Sequence, residues 1–228
     1  MSDTVKFKYH FESDNGDSFT FSYEINDDSL TVINKISEPL PEWTNLDFEK
    51  CSHCPLSSED NPTCPVAKNL LPVIHAFRDK VSHETSRVVV TCNERHYAKK
   101  TSLQVGMQSI LGLVMATSGC PNMGFFRSMA RFHLPFSDVN ETLVRATSHY
   151  LLGQYFAMKR GEAPDFELKN LPRHYDAAHH VNLGILERLR VATQKDAGKN
   201  AIVILDSFAY LVNSDIEEDL ASIAKYFS

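Results

Sequence analysis

The sequence has no apolar stretch long enough for a membrane-spanning helix. The longest candidate, residues 103–116, is interrupted by Gln104, Gln108 and Ser109, whereas about 20 predominantly apolar residues are needed to cross a bilayer. The N-terminal segment MSDTVKFKYHFES alternates polar and apolar residues and lacks the continuous apolar region of a signal peptide. These absences predict a cytoplasmic protein without a membrane partner.

Motifs for nucleotide binding and serine hydrolysis are also missing. The chain has nine glycines, and they form no phosphate-binding loop, no Gly-x-Gly-x-x-Gly and no Gly-x-Ser-x-Gly. The net charge is −6, with acidic residues in excess at both ends and no run of Lys or Arg. This distribution argues against nucleic acid as a partner, although a local basic pocket for a small anionic ligand remains compatible with it.

The alternation of side chains predicts an N-terminal antiparallel β-meander over residues 5–36. Aromatic residues recur at every second position on either side of the turn sequence Asp14-Asn15-Gly16-Asp17. A third strand is expected to begin at Leu30, and residues 87–92 (RVVVTC) predict a further buried strand. The proline-bearing segment 38–43 is interpreted as a linker.

The rest of the chain predicts helices, so we expect an α+β protein. Apolar spacing indicates helices over 103–118, from Asp138 to Gly161, over 181–193 and over 201–212. Ser214-x-x-Glu217 has the pattern of a capping box that opens a C-terminal helix. The predicted organisation is a small β-meander, residues 1–45, packed on a mainly helical domain, residues 46–228, with a cysteine-rich loop at 51–64.

Four of the five cysteines suggest a metal site. They are spaced Cys51-x2-Cys54-x9-Cys64, followed after a long gap by Cys120. Cys-x-x-Cys directs two sulfurs to one centre, and two further thiolates complete a tetrahedral shell. Three of the four precede proline, which favours the first position of a helix, so each Cys-Pro is predicted to place its sulfur at a helix N-terminus, where thiolate is stabilised.

The identity of the metal and of the fourth ligand stays open. Cys-Pro pairs are typical of iron–sulfur clusters, whereas the absence of an electron-transfer signature favours a structural ion, and of the two we expect zinc. His53 or His133 is an alternative fourth ligand to Cys120. A thiol–disulfide pair at Cys51 and Cys54 is a third interpretation, and small buried apolar cysteines are the simplest one.

A second group of residues suggests a polar pocket. Arg131 and His133 lie in the segment RFHLPF, and Glu141 and Arg145 follow one helical turn apart. Together they are candidates for acid–base work or for binding an anion. The competing interpretation is a helix ion pair with a histidine bonded to backbone. The segment RHYDAAHH, residues 173–180, places Asp176 four residues before His180 but is interpreted as a solvated start of a helix.

Several of these motifs together resemble a known family. They are Cys-x-x-Cys-Pro-Leu at 51, Cys-Pro-Val-Ala at 64, Ser-Gly-Cys-Pro at 118 and Arg-Phe-His-Leu-Pro-Phe at 131 with the following Glu-Thr. In these the chain is similar to a bacterial family catalogued as a domain of unknown function, over most of its length. The resemblance implies a bacterial, cytosolic setting and assigns no catalytic role to any residue.

Two functions are therefore expected from different classes. The first is a binding or regulatory module, with an unidentified small-molecule or protein partner, whose metal at the four cysteines keeps a helical core in shape. The alternative is an enzyme, either redox-active through an iron–sulfur cluster or acting on a small anionic metabolite at the Arg/His/Glu pocket. Amphipathic helices near the C-terminus make a homo-oligomer possible.

Overall fold

The fold is built on a four-stranded antiparallel sheet with one buried face. The computed structural model describes residues 4–33, 36, 38–93 and 95–227. The strands are β1 (Thr4–Ser13), β2 (Ser18–Asn26), β3 (Thr85–Cys92) and β4 (Arg95–Ser102), ordered β2-β1-β3-β4. Phe7, Tyr9 and Phe11 of β1 are fully buried while their neighbours are more exposed, because alternate side chains of a strand point to opposite faces.

The predicted third strand of the meander is wrong. Among the described residues, the segment that begins at Leu30 forms no strand; it meets β2 at an isolated bridge between Ile25 and Val32, where the Ile33 N–H donates to the Glu24 carbonyl at 2.9 Å. Residues 34 and 35 of the predicted meander lie outside the described residues. The neighbour of β1 is instead β3, which contains the predicted RVVVTC strand. Val88 and Val90 bury their side chains fully on the same face as the β1 aromatic residues, which selects this pairing.

Seven helices are described in the rest of the chain. They are α1 (Pro65–Phe77), α2 (Leu103–Thr117), α3 (Phe126–Arg131), α4 (Val139–Lys159), α5 (Leu171–Ala192), α6 (Ala197–Glu217) and α7 (Ala221–Ala224). Short 3-10 turns occupy Glu42–Thr44 and Pro121–Met123. The α+β class is thereby confirmed. The division at residue 45 stays a prediction, and the sheet takes strands from both sides of that position.

Helix α2 is the centre of the molecule. It lies between the sheet and the pair α5–α6, and most of its side chains are buried. Gly106 allows it to approach the sheet, because a Cβ at that position would lie 2.8 Å from Val88 Cγ2 and 2.9 Å from Phe11 Cε1. Cys120 follows the C-terminal end of α2 closely in the chain, so the position of α2 on the sheet also sets the position of this cysteine.

Of the two predicted capping boxes, the structure confirms one and shows that the other is wrong. Asp138 and Glu141 form the predicted capping box of α4, each side chain accepting from the backbone N–H of the other. The prediction for Ser214 is wrong, because α6 continues through it to Glu217. Helix α5 also begins earlier than predicted, at Leu171, with a proline in its first turn.

Candidate functional site

The four predicted cysteines meet in one pocket. Cys51 and Cys54 come from the loop after the first 3-10 turn, Cys64 immediately precedes α1, and Cys120 follows α2; all four line a space of about 20 Å³ against α5. The Cys54 N–H donates to the Cys51 carbonyl at 3.0 Å, and the Cys54 thiol contributes to the raised pKa of Cys51. We call this space the cysteine pocket.

Proline positions two of these sulfurs as predicted. Cys64 is the N-cap of α1 and Cys120 is the N-cap of the 3-10 turn Pro121–Met123, each with proline as the next residue. Cys54 is followed by an irregular segment instead, so the N-cap prediction is wrong for that residue. The fifth cysteine, Cys92, lies on β3 and packs against the main core.

A glycine lets the cysteine loop touch α5. A Cβ on Gly184 would lie 2.9 Å from Cys51 Cβ and 3.3 Å from Cys51 Cα. Distances of this kind leave no room for any larger residue unless the loop moves away. Gly184 therefore sets how closely Cys51 can approach the α5 wall of the pocket.

Arg188, one turn beyond Gly184 on α5, holds the segment that leads into the cysteine loop. Only 2% of its surface is exposed, yet among the described residues no carboxylate forms an ion pair with it. Its Nη1 donates to the carbonyls of Trp43 (2.6 Å) and Asn45 (2.7 Å), and its Nη2 donates to that of Leu46 (2.9 Å). Burial lowers the pKa of Arg188, and thiolates at Cys64, Cys51 and Cys54 oppose that shift. The negative charges that act on this buried cation are thus those of the cysteine thiolates and of the Glu49 carboxylate.

Burial raises the pKa of two thiols of the cysteine pocket, Cys51 and Cys120. Burial first, and then the neighbouring thiols, raise the pKa of Cys51. Burial raises the pKa of Cys120 to about 11, against the effect of the backbone N–H groups of Asn122 and Met123. Without a cation the Cys51 and Cys120 thiols hold their protons at neutral pH, and a metal would bind by displacing them.

The thiols are gathered but not preset for a metal. Over residues 4–33, 36, 38–93 and 95–227, no group of three or more His, Cys, Asp or Glu side chains is already arranged as a metal site. Coordination would need the sulfurs of the cysteine pocket to move closer together, to about 2.3 Å from a zinc ion.

Two of the four residues predicted for the polar pocket line a second space, the helical cavity, bounded by α2, α3, α5, α6, the start of α4 and the 132–137 loop. His133 and Arg145 line it. Arg131 instead pairs with Asp27 in the segment after β2, and the Glu141 carboxylate is engaged in the α4 capping box. The geometry thus brings His133 and Arg145 together and leaves the other two outside.

His133 is held in a buried polar contact with the sheet. Its Nε2 lies 2.5 Å from the Tyr9 hydroxyl and 3.4 Å from Ser109 Oγ. Burial, with the nearby Arg145 charge, lowers the pKa of His133 to about 3, so the ring is neutral at physiological pH. This partner set places His133 in the helical cavity and away from the cysteine pocket, so Cys120 and His53 remain the two predicted alternatives for a fourth ligand.

The histidines of segment 173–180 have separate partners. His174 stacks on Phe125 with ring centroids 4.5 Å apart, and His179 pairs with Asp206 at 2.8 Å. The ring of His180 lies 3.8 Å from that of His53, at the rim of the cysteine loop. Asp176 accepts from Asn213, so Asp176 and His180 do not share a partner.

Sequence reasoning missed Gly184, Arg188 and Tyr175. The partners of Arg188 are backbone carbonyls, which have no signature in the sequence. One signal was available: His180, Gly184 and Arg188 follow one another at four-residue spacing and so share one face of α5. A glycine on such a face indicates that another segment of backbone approaches the helix there. Tyr175 falls at the spacing of the buried apolar residues of α5, so the sequence gives no sign that its hydroxyl lines a cavity.

Comparison with known proteins gives a family. The profile described as "Domain of unknown function (DUF6901)" matches residues 5–228. The chain belongs to this family. No curated protein and no solved structure matches the DUF6901 chain. Within the described residues, none of its helices combines the length and the apolar character that crossing a bilayer requires.

Proposed function

We propose that this DUF6901 protein is a non-catalytic binding or regulatory module of the cytoplasm, whose helical core is stabilised by one metal ion at Cys51, Cys54, Cys64 and Cys120. The observation that carries the proposal is the convergence of four thiols, from three separate stretches of chain, on one pocket beside a buried arginine. Thiols persist in a reducing cytoplasm, where clustered cysteines commonly bind metal.

The charges of the cysteine pocket support an ion with four thiolates. A divalent ion with four thiolates has a net charge of about −2, which Arg188 partly offsets at short range. In return the thiolates supply the counter-charge that a buried guanidinium otherwise lacks. The ion would tie the loop at 51–54 to the starts of α1 and of the Pro121–Met123 turn, and its role would be structural.

The size of the pocket supports zinc over an iron–sulfur cluster. Its volume of about 20 Å³ is close to the roughly 10–15 Å³ that holds a single water. A single ion fits such a space with small movements of the sulfurs, whereas a multi-iron cluster would need the loop to withdraw from α5. Gly184 lets the loop lie directly against α5, and Arg188 fixes the segment that leads into the loop.

The test measures bound metal and melting temperature in a matched pair of cysteine variants. The protein is purified without oxygen, and bound metals are measured by elemental analysis. Cys54→Ser is expected to lower both zinc content and melting temperature, because it removes one ligand. Cys92→Ser, on β3 outside the cysteine pocket, should keep its zinc.

Full zinc occupancy with unchanged stability in Cys54→Ser would rule out Cys54 as a ligand. A brown protein containing iron and sulfide would replace zinc by a cluster and favour the redox enzyme. Wild-type protein without metal, purified under these conditions, would refute the proposal.

A further inference from the structure

The helical cavity has the size and lining of a site for a small apolar molecule. Its volume is about 160 Å³, and an apolar cavity of about 150 Å³ is known to hold a benzene ring. Most of its wall is apolar, with Met115, Phe126, Leu134, Leu205 and Phe208 among the lining side chains. Polar and charged side chains, among them Arg145, Tyr175 and Asn182, form the smaller part of this wall, as is usual for ligand sites.

Arg145 is a cation in this wall whose nearby carboxylate, Glu141, acts on its charge but is bonded in the α4 capping box. Its Nη2 donates to the carbonyls of Met129 (2.8 Å) and Phe132 (3.3 Å). In the described part of the chain, no carboxylate forms an ion pair with it and nothing bonds its Nε or Nη1. Burial lowers the pKa of Arg145, which reflects the solvation that the guanidinium has lost. A half-buried cation of this kind is stabilised by an anionic ligand.

Tyr175 adds an unused hydrogen-bond donor next to this cation. Tyr175 is 4% exposed and lines the helical cavity, and its hydroxyl has no hydrogen-bond partner among the described residues. Burial raises the pKa of this phenol and the Arg145 charge opposes that shift; both side chains line the same cavity. A buried hydroxyl without a partner costs stability, and a ligand that accepts from it would recover that cost.

His133 limits what the ligand can be. It is neutral, and its Nε2 is occupied by Tyr9 and Ser109, so it adds no second positive charge to the cavity. The set therefore consists of one cation, one unused phenolic donor and an apolar space of about one six-membered ring. A dianion such as a phosphate ester would find only one cation here.

We propose that the helical cavity binds a small apolar monocarboxylic acid about the size of benzoate, with its carboxylate on Arg145 and Tyr175 and its apolar part between α2, α3 and α6. This inference names a ligand class for the binding module proposed above, and so rests on that function, but it does not require the metal. The neutral alcohol of the same shape lacks the charge that Arg145 would pair with.

The probes are benzoate and benzyl alcohol, titrated into the full-length protein by calorimetry. Benzoate is expected to bind saturably at one site, and benzyl alcohol at least tenfold more weakly. Arg145→Gln should weaken benzoate binding at least tenfold and remove the preference over the alcohol. Arg160→Gln is the matched control, because Arg160 lies just after α4 with its side chain 61% exposed and paired with Glu162.

Tyr175→Phe decides the outcome if Arg145→Gln does not fold. It removes only a hydroxyl that has no partner, so the fold should be retained while benzoate affinity falls threefold or more. Failure of benzoate to bind, equal affinity for the alcohol, or unchanged affinity in Tyr175→Phe would each overturn the proposal. Zinc is measured on the same samples. Zinc without benzoate binding would reject this ligand and leave the proposed metal centre intact. Benzoate binding without zinc would support this ligand and reject the metal centre.

Discussion

Gly184→Ala measures how tightly the cysteine loop is held against α5. Gly184 lies in the middle of α5, so an exposed alanine there would gain about 1 kcal/mol from helix propensity. Its Cβ would, however, meet Cys51 Cβ at 2.9 Å and the Cys51 backbone at 3.3 Å. Backbone cannot rotate out of the way as the end of a side chain can, so the loop must be displaced.

The two effects have opposite signs, and the contact is expected to win. Adding a methyl group to a well-packed site typically costs about 1–3 kcal/mol. Set against the propensity gain, this leaves a loss of about 0–2 kcal/mol in the free energy of unfolding. The displacement also carries Cys51 away from the other three thiols, so zinc content should fall together with stability.

Gly153→Ala is the control for the propensity term. Gly153 lies inside α4, and a Cβ there would meet nothing within 4 Å. This variant should therefore gain the full increment of about 1 kcal/mol. The two variants differ by about 1–3 kcal/mol, which for a chain of this size corresponds to a separation of roughly 3–9 °C in melting temperature.

Thermal unfolding followed by circular dichroism, with zinc measured before each scan, is a sufficient assay. The reasoning is refuted if Gly184→Ala is stabilised as much as Gly153→Ala and retains its zinc. That result would mean that the loop does not rest on α5 at Cys51.

Two further predictions concern Arg188 and His133. Arg188→Met should lower the free energy of unfolding by about 3 kcal/mol or more, because it removes three hydrogen bonds to the carbonyls of Trp43, Asn45 and Leu46 and charged hydrogen bonds contribute about 1.5–3 kcal/mol each. In urea titrations the control Arg190→Met, at an exposed position, should change this free energy by no more than about 0.5 kcal/mol. Similar values for the two variants would contradict the anchoring role of Arg188. For His133 the folded pKa is about 3 against an ordinary value of 6.5, so the unfolded chain binds the extra proton as the pH falls below 6.5, and stability present above that pH is lost toward pH 3. Between pH 6.5 and 5 the loss of stability from this residue is about 2 kcal/mol. The free energy of unfolding should therefore fall less steeply over that range in His133→Gln than in wild type. Identical slopes would show that His133 is not buried in its neutral form.

The sequence predicts elements whose side chains alternate or repeat against a core. The strands β1 and β2 and the helices α2 and α4 follow directly from such periodicity. Strand β4 was not predicted, because its sequence RHYAKKTS has no buried face. It is an edge strand paired only to β3, and its lysines are typical of exposed sheet edges.

The candidate site was predicted as far as residue chemistry can specify it. Four cysteines could be grouped because thiols at this density need a common explanation, even though the position of Cys120 relative to the loop depends on the whole path of α2. Arg131 could not be assigned from the sequence, because its partner Asp27 lies more than 100 positions away. Glu141 had two uses compatible with its spacing, and the capping box satisfied its carboxylate locally.

Tyr9 also fixes how the sheet is aligned on the helices. Its hydroxyl, in the middle of β1, meets Ser109 of α2 and His133 of the 132–137 loop. If β1 slipped by one residue, Lys8 and His10 would turn inward in its place. Ser109 and His133 would then lose the group they bond to, and a lysine would lie in an apolar layer. This single phenol therefore makes misaligned versions of the fold costly, and discriminates among folded arrangements in addition to stabilising the correct one.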